Sequence, residues 1–188
     1  MNCFGFFYRS HNKGTLIEVD TSILDVPKEI SIGHCVAKDM RMSAGIAVYF
    51  KNIYKRVGEL MDQRKDVGTV AFLEENQRFI FYIITKELSY HKPSYDNISA
   101  ALNELRDLIV EHHIKNLALP RIGCGLDGLD WAIVRGIIEN VFQNVECTIM
   151  ICNFTKHLSK ESDNIFRVEH PTTIKIDKNI KNIENIIL

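Results

Sequence analysis

The sequence predicts an α/β domain of three layers around a mixed sheet. Three observations point to it. Apolar runs of strand length alternate with segments whose apolar residues recur at helical spacing. Apolar residues make up 46% of the chain and charged residues 25%, which is ordinary for a globular protein. One apolar run leads through a glycine-rich loop into a helix, the connection that places ligands at the carboxyl ends of strands. At 188 residues the chain suffices for one domain with a sizeable core.

Taken in order, residues 1–14 are an N-terminal extension, with apolar Phe4 to Tyr8 and a turn at Asn12-Lys13-Gly14. Leu16 to Asp20 reads as a strand. Ile23 to Pro27 is a connection, because proline opposes a helix through it. Ile30 to Val36 is a second strand, and Ala37 to Gly45 a loop ending in small residues. Ile46 to Met61 carries its apolar residues on one helical face. Thr69 to Leu73 and Arg78 to Thr85 form a hairpin around Glu74 to Gln77. Tyr95 to His113 is a helix bearing Ile98, Ala101, Leu102, Leu105, Leu108 and Ile109. Leu117 to Leu119 is a strand, Ile133 to Phe142 a helix, and Cys147 to Cys152 a last strand. The domain is expected over 15–154. A polar extension over 155–188 follows, rich in Asn, Lys and Ile, with one strand expected around Thr172 to Ile176.

A formal net charge of -1 supplies no basic field for nucleic acid. No apolar run reaches the length that spans a bilayer, and Met1 to Tyr8 lacks a basic leader, so neither membrane nor signal peptide is expected. The five cysteines (Cys3, Cys35, Cys124, Cys147, Cys152) lie mostly in apolar runs without metal-ligand spacing. They fit free thiols in a reducing, intracellular compartment, and no zinc.

The loop from Pro120 to Asp130 carries the strongest signal. Gly123, Gly125 and Gly128 let the backbone turn and approach a ligand, and the following helix N-terminus suits phosphate. The same pattern also serves as a plain strand-to-helix connection. Lys86 ends a strand on the expected ligand edge; it is either a solvated strand end or a nucleophile that needs a base to take its proton. Asp127 is either a turn residue or that base. Asp130, directly before Trp131, is expected to cap the helix. His34, between apolar residues, is expected to be a buried, hydrogen-bonded histidine. Arg41 and Arg121 are candidates for contacting phosphate or shaping a pocket.

These residues resemble a known family. Ile32-Gly33-His34-Cys35, Asp39-Met40-Arg41-Met42-Ser43-Ala44-Gly45-Ile46-Ala47-Val48-x-Phe50-Lys51, Tyr82-x-Ile84-Thr85-Lys86, His91-Lys92-Pro93-x-Tyr95 and Pro120-Arg121-Ile122-Gly123-Cys124-Gly125-Leu126-Asp127 look like a macrodomain of the terminal ADP-ribose protein glycohydrolase type. The resemblance covers residues 15–154. It implies an α/β/α macrodomain that removes ADP-ribose from acidic side chains of modified proteins and deacylates O-acyl-ADP-ribose; ADP-ribosylated nucleic acid is a further candidate substrate. It implies that Lys86 attacks the distal ribose anomeric carbon, an aldehyde in the opened sugar, to give a covalent lysyl intermediate that Asp127 resolves. It implies ligand contacts from Thr21, Ser22, Ile23, His34, Ala37, Met42, Ser43, Ala44, Gly45, Ile46, Arg121, Ile122, Gly123, Cys124, Gly125 and Leu126. No cofactor or metal is needed, and a nuclear or cytoplasmic monomer is expected. A non-catalytic reader of ADP-ribose or another nucleotide is the alternative.

The sequence departs from the family in two places. Macrodomains carry a Gly-Asp pair after the first strand whose aspartate accepts a bond from the adenine amine. Here Thr21-Ser22 occupies that register, and Asp20 comes two residues early. Losing a charge-assisted bond costs about 1.5–3 kcal/mol, roughly tenfold to a hundredfold in affinity. Ser43 replaces a glycine before Ala44, which tightens the expected phosphate loop.

Overall fold

Strand β4 (Arg78–Lys86) is apolar on both faces because it lies inside the sheet with helices above and below. The computed structural model describes residues 14–153. Its other strands are β1 (Thr15–Val19), β2 (Ser31–Ala37), β3 (Val70–Glu75), β5 (Asn116–Pro120) and β6 (Thr148–Cys152). Its helices are α1 (Ile46–Tyr54), α2 (Val57–Asp62), α3 (Tyr95–Glu111) and α4 (Trp131–Phe142). The sheet runs β1-β6-β5-β2-β4-β3; only β3, in the hairpin with β4, is antiparallel. The mixed three-layer arrangement expected from the sequence is what the chain adopts.

Each strand divides its side chains between two cores. Phe81, Ile83, Leu117, Leu119, Ile149 and Ile151 meet Ile98, Leu102, Leu105, Val134 and Ile138 of α3 and α4. Ile32, Ile80, Tyr82, Ile84, Ala118 and Met150 meet Phe50 of α1 and Leu60 of α2, closed below by Ile23, Val26 and Ile30. Alternation along each strand thus feeds both helical layers. Truncating a side chain as enclosed as Phe50 typically costs about 3–5 kcal/mol.

Three local expectations change. The single helix expected over Ile46 to Met61 is two. Lys55 turns left-handed (φ 58°), and its N–H bonds the Lys51 carbonyl at 3.0 Å. Arg56 then grips Glu59 with two guanidinium N–H groups (2.8 and 2.6 Å) and the Glu74 carbonyl with a third (3.0 Å). The break turns α2 so that Leu60 joins the core of Phe50. The hairpin turn is shorter than expected: Glu74 and Glu75 stay in the ladder, and Asn76-Gln77, both at positive φ, form a two-residue turn. His34 is fully buried, but neither ring nitrogen has a hydrogen-bond partner; the ring packs on Phe50 at 4.0 Å and on Tyr82 at 5.0 Å. Burial drives its pKa down to about 3, so it stays neutral. The extension readings at 1–13 and from 154 on, including the strand near Thr172, lie outside the described residues.

Candidate active site

Five parallel strands bring their carboxyl ends to one edge of the sheet. There β2 and β5 part: their ladder is Ser31↔Leu117 and Ile32↔Ala118 alone. The chain's crossovers also reverse here, β2 leading outward to β4 and β5 to β6 on the other side. A crevice at such a switch is where α/β sheets hold ligands. Gly33 keeps this point narrow, since a Cβ on it would stand 3.0 Å from Leu119 Cδ2 and 3.2 Å from Phe81 Cβ.

Lys86 closes β4 at this edge, and Asp127 comes over from the glycine-rich loop. Lys86 Nζ donates to Asp127 Oδ1 at 2.5 Å, with the side chains 14% and 16% exposed. A charge-assisted contact of this length in a shielded place gives a direct path for a proton between amine and carboxylate. Neither residue is the solvated strand end or free turn that its local sequence also allowed. Cys35 lies on β2 beside them. Burial and the Asp127 charge push its thiol up to about 12, against the Thr85 hydroxyl, the Gly123 N–H and the Lys86 charge. Burial likewise raises Cys124, whose Sγ donates to the Ile122 carbonyl at 3.2 Å. Both thiols are held protonated.

The loop from Ala37 to Gly45 forms one wall. The Lys38 N–H bonds the Lys86 carbonyl at 2.9 Å and the Asp39 N–H that of Glu87 at 3.3 Å. The Asp39 carboxylate accepts from the Ser89 N–H (2.9 Å) and hydroxyl (2.7 Å). Burial opposes its charge, but Ser89, the Arg41 N–H and the Arg41 guanidinium outweigh it and hold the carboxyl below the usual aspartate range. Met40 and Met42 sit in left-handed backbone with buried side chains, so the loop is pinned from below. At its end α1 begins at Gly45 with no side-chain cap and no acidic residue in its first turn. Its N–H groups are therefore open to an anion.

The helix terminus singled out from the sequence is that of α4. At α4 the Asp130 carboxylate caps the end, accepting from the Ala132 N–H at 2.7 Å. The capping role expected of Asp130 holds, and one N–H of that terminus is thereby already bonded. Gly123 (φ 72°) has no room for a side chain: a Cβ would lie 2.8 Å from Ile98 Cδ1 and 3.0 Å from Leu129 Cδ1. Gly125 has open space beside it. Leu126 reaches across the crevice, its Cδ1 3.6 Å from where a Cβ on Gly45 would be, so the two loops meet over the site.

The nominated ligand contacts divide by exposure. Ser43, Ala44, Gly45, Gly125 and Leu126 are exposed, and Thr21, Ile46 and Cys124 partly so. Ile23, His34 and Met42 are packed in the α1–α2 core and Ile122 in the other, with Ala37 buried at the end of β2 and Gly123 buried in the loop after β5. Arg121 donates to Glu18 at 2.9 Å and stacks over Trp131 at 5.5 Å, which draws it to a depression of 570 Å³ beside β1 and α4. A second depression of 760 Å³ borders Arg56 and Glu74. Neither contains Lys86 or Asp127; their crevice is narrowed by Leu126. Ser22 is buried, and its Oγ accepts from the Leu24 N–H at 3.2 Å. Asp20 is directed instead toward Asn153, at 3.5 Å. The sequence reading gave no role to Lys92, Tyr95 or Asn97, whose side chains bond the backbone of the Asp127 loop and of the β4 end; the His91–Tyr95 motif was the available signal.

The Macro domain profile matches residues 26–138. The chain belongs to the macrodomain family. The macrodomain is 42% identical over 125 residues to the ADP-ribose glycohydrolase OARD1 of Homo sapiens, covering 66% of this chain and 82% of that protein. With its motifs, this places it with the terminal ADP-ribose protein glycohydrolase type. Among solved structures it is similar to the macrodomain of Thermus aquaticus DarG (TM-score 0.66, 23% identity, 76% of this chain and 99% of that one). It is similar also to Thermosipho africanus DarTG, solved in complex with ADP-ribose (TM-score 0.66, 19% identity, 74% of this chain and 41% of that one).

Proposed function

We propose that this macrodomain is an ADP-ribosyl hydrolase that releases ADP-ribose from acidic side chains of modified proteins. The observation that carries the reading is the 2.5 Å contact of Lys86 Nζ with Asp127 Oδ1 at the mouth of the crevice. A reader of ADP-ribose needs neither group. The diphosphate lies against the α1 N-terminus and the backbone near Gly125, which places the distal ribose toward Lys86.

In the reaction Asp127 takes the proton of the Lys86 amine. The amine nitrogen then bonds to the ribose anomeric carbon. The bond from that carbon to the substrate's ester oxygen breaks, and the departing carboxylate takes the proton held by Asp127. Asp127, a carboxylate again, next takes a proton from a water that attacks the same carbon. The carbon–nitrogen bond breaks with its electron pair returning to Lys86, which recovers its proton from Asp127 as ADP-ribose leaves. The same two groups serve an O-acyl-ADP-ribose ester and an ADP-ribosylated base, and a nuclear or cytoplasmic monomer is part of the same proposal. Similarity to an ADP-ribose glycohydrolase across 82% of that protein's length supports the reading.

The test is single-turnover release of ADP-ribose from a glutamate-modified protein by wild type and by Lys86→Ala. Wild type is expected to release it and Lys86→Ala to lose nearly all activity; equal release by both would remove the lysine mechanism. One observation favours the alternative of a binding module with altered nucleotide preference: the Ser22 hydroxyl already accepts from the Leu24 N–H, and Asp20 is directed toward Asn153. Micromolar binding of ADP-ribose without turnover would select that alternative.

A further inference from the structure

We infer that the segment leading into α3 and its first turn form a positioning element for the reaction, with Lys92, Tyr95 and Asn97 holding Asp127 and Lys86 at their working separation. The inference rests on the hydrolase reading of that pair.

Asp127 stands on a loop that is soft by composition. Gly123 and Gly128 are left-handed, and nothing packs where side chains on Gly125 or Gly128 would be. The loop's own bonds, Gly128 N–H to Gly125 and Leu129 N–H to Gly123, set its curl but not its place on the domain. Two side chains set that place. Lys92 Nζ donates to the Leu126 carbonyl at 2.5 Å, one residue before Asp127. The Tyr95 hydroxyl accepts from the Asp130 N–H at 3.1 Å, three residues after it. From the same segment the Asn97 amide donates to the Thr85 carbonyl at 3.4 Å, one residue before Lys86. One short piece of chain thus bonds the backbone beside both members of the pair.

That piece is itself rigid. Pro93 is buried and fixes its own φ. Ser94 caps α3, its side chain accepting from the Asn97 N–H at 3.1 Å. Ile98 has no exposed surface and packs under Gly123. A displacement of about 1 Å at a catalytic group costs on the order of a hundredfold in rate, so ties of this kind govern turnover rather than binding. An exposed lysine that only steadied a loop would leave the chemical step unchanged.

The experiment compares wild type with Lys92→Ala, Lys92→Arg and Tyr95→Phe on a glutamate-modified protein, beside ADP-ribose affinity by calorimetry. Lys92→Ala and Tyr95→Phe are expected to lower kcat about tenfold while KM and the ADP-ribose Kd stay within about twofold; Lys92→Arg is expected to restore most of the rate. A second readout needs no turnover: the rate at which an amine-directed acylating reagent labels Lys86, followed by mass spectrometry. Tyr95→Phe alters no charge, and it is expected to speed that labelling as the amine is freed from Asp127. Unchanged kcat in both variants overturns the inference, as does a fall matched by an equal loss of ADP-ribose affinity. If wild type releases no ADP-ribose, the hydrolase reading fails by itself, and the labelling rates then decide: equal rates in wild type and Tyr95→Phe overturn the positioning role.

Discussion

Alanine at three glycines of one loop separates two costs that are usually measured together. At Gly125 the backbone is not left-handed and a Cβ meets nothing within 4 Å. At Gly128 the backbone is left-handed (φ 76°) but the space is open. At Gly123 the backbone is left-handed (φ 72°) and the Cβ would press on Ile98 at 2.8 Å and Leu129 at 3.0 Å. A left-handed alanine costs about 1–2 kcal/mol, against which loss of unfolded-chain freedom returns about 0.4–1 kcal/mol. Gly125→Ala is therefore expected to be neutral or stabilising by up to about 1 kcal/mol, and Gly128→Ala to destabilise by about 0.5–1 kcal/mol. For Gly123→Ala the packing cost is added. The atoms met are side-chain ends, not backbone, so the lower end of the overpacking range applies, about 1 kcal/mol, for a total of about 2 kcal/mol. Urea unfolding at unchanged slope resolves the series, a loss of 2 kcal/mol lowering the midpoint by roughly 1 M. If Gly123→Ala and Gly128→Ala agree within about 0.5 kcal/mol, the approach of Ile98 and Leu129 is not what demands glycine at 123, and the packing argument fails.

Three further outcomes are expected. His34 is neutral in the folded chain down to about pH 3 but takes a proton in the unfolded chain near 6.5. The unfolded state thus binds more protons below pH 6.5, and wild type should lose about 2 kcal/mol more than His34→Phe between pH 6.5 and 5, read by denaturant melts; a parallel pH dependence would contradict this. The lowered pKa of Asp39 stabilises the fold above its unfolded value of 3.8 and is lost as pH falls through the folded one, so the deficit of Asp39→Ala, about 1–2 kcal/mol near neutrality, should shrink on acidification. Glu104 pairs with Lys65 at 2.6 Å and accepts from the buried Val70 N–H at 3.1 Å. Glu104→Ala should cost about 1–3 kcal/mol in thermal or urea unfolding and Glu104→Gln much less, because the amide oxygen still meets Val70.

The layers, the order of strands and helices and the α3 face were legible because each rests on a periodic signal within one segment: the residues Ile98 to Ile109 that bury themselves are those at helical spacing. The break at Lys55 was not, since neither Lys55 nor Arg56 is a helix breaker; the break depends on Arg56 reaching Glu74 on a distant strand. The uncapped start of α1 was hidden for a related reason, because a missing cap matters only when the crevice it faces is known. Asp130 was legible as a cap from its neighbours alone. Lys86 and Asp127, 41 residues apart, had no local sign of contact; their motifs, through the family resemblance, brought them together before the geometry did. Met42 and Ile122 are buried although they sit within the motifs, and a motif does not say which atoms of a residue it needs.

The short ladder between β2 and β5 makes the sheet two three-stranded ribbons, β1-β6-β5 and β2-β4-β3, spliced at one end. Beyond Ile32, β2 faces β5 without a strand partner, so the sheet carries an edge in its interior. An inner edge obeys the rule of an outer one: its peptide groups accept an extended donor and acceptor laid along them. Whatever binds only the folded chain across this seam stabilises it, and that stabilisation grows with the logarithm of its concentration.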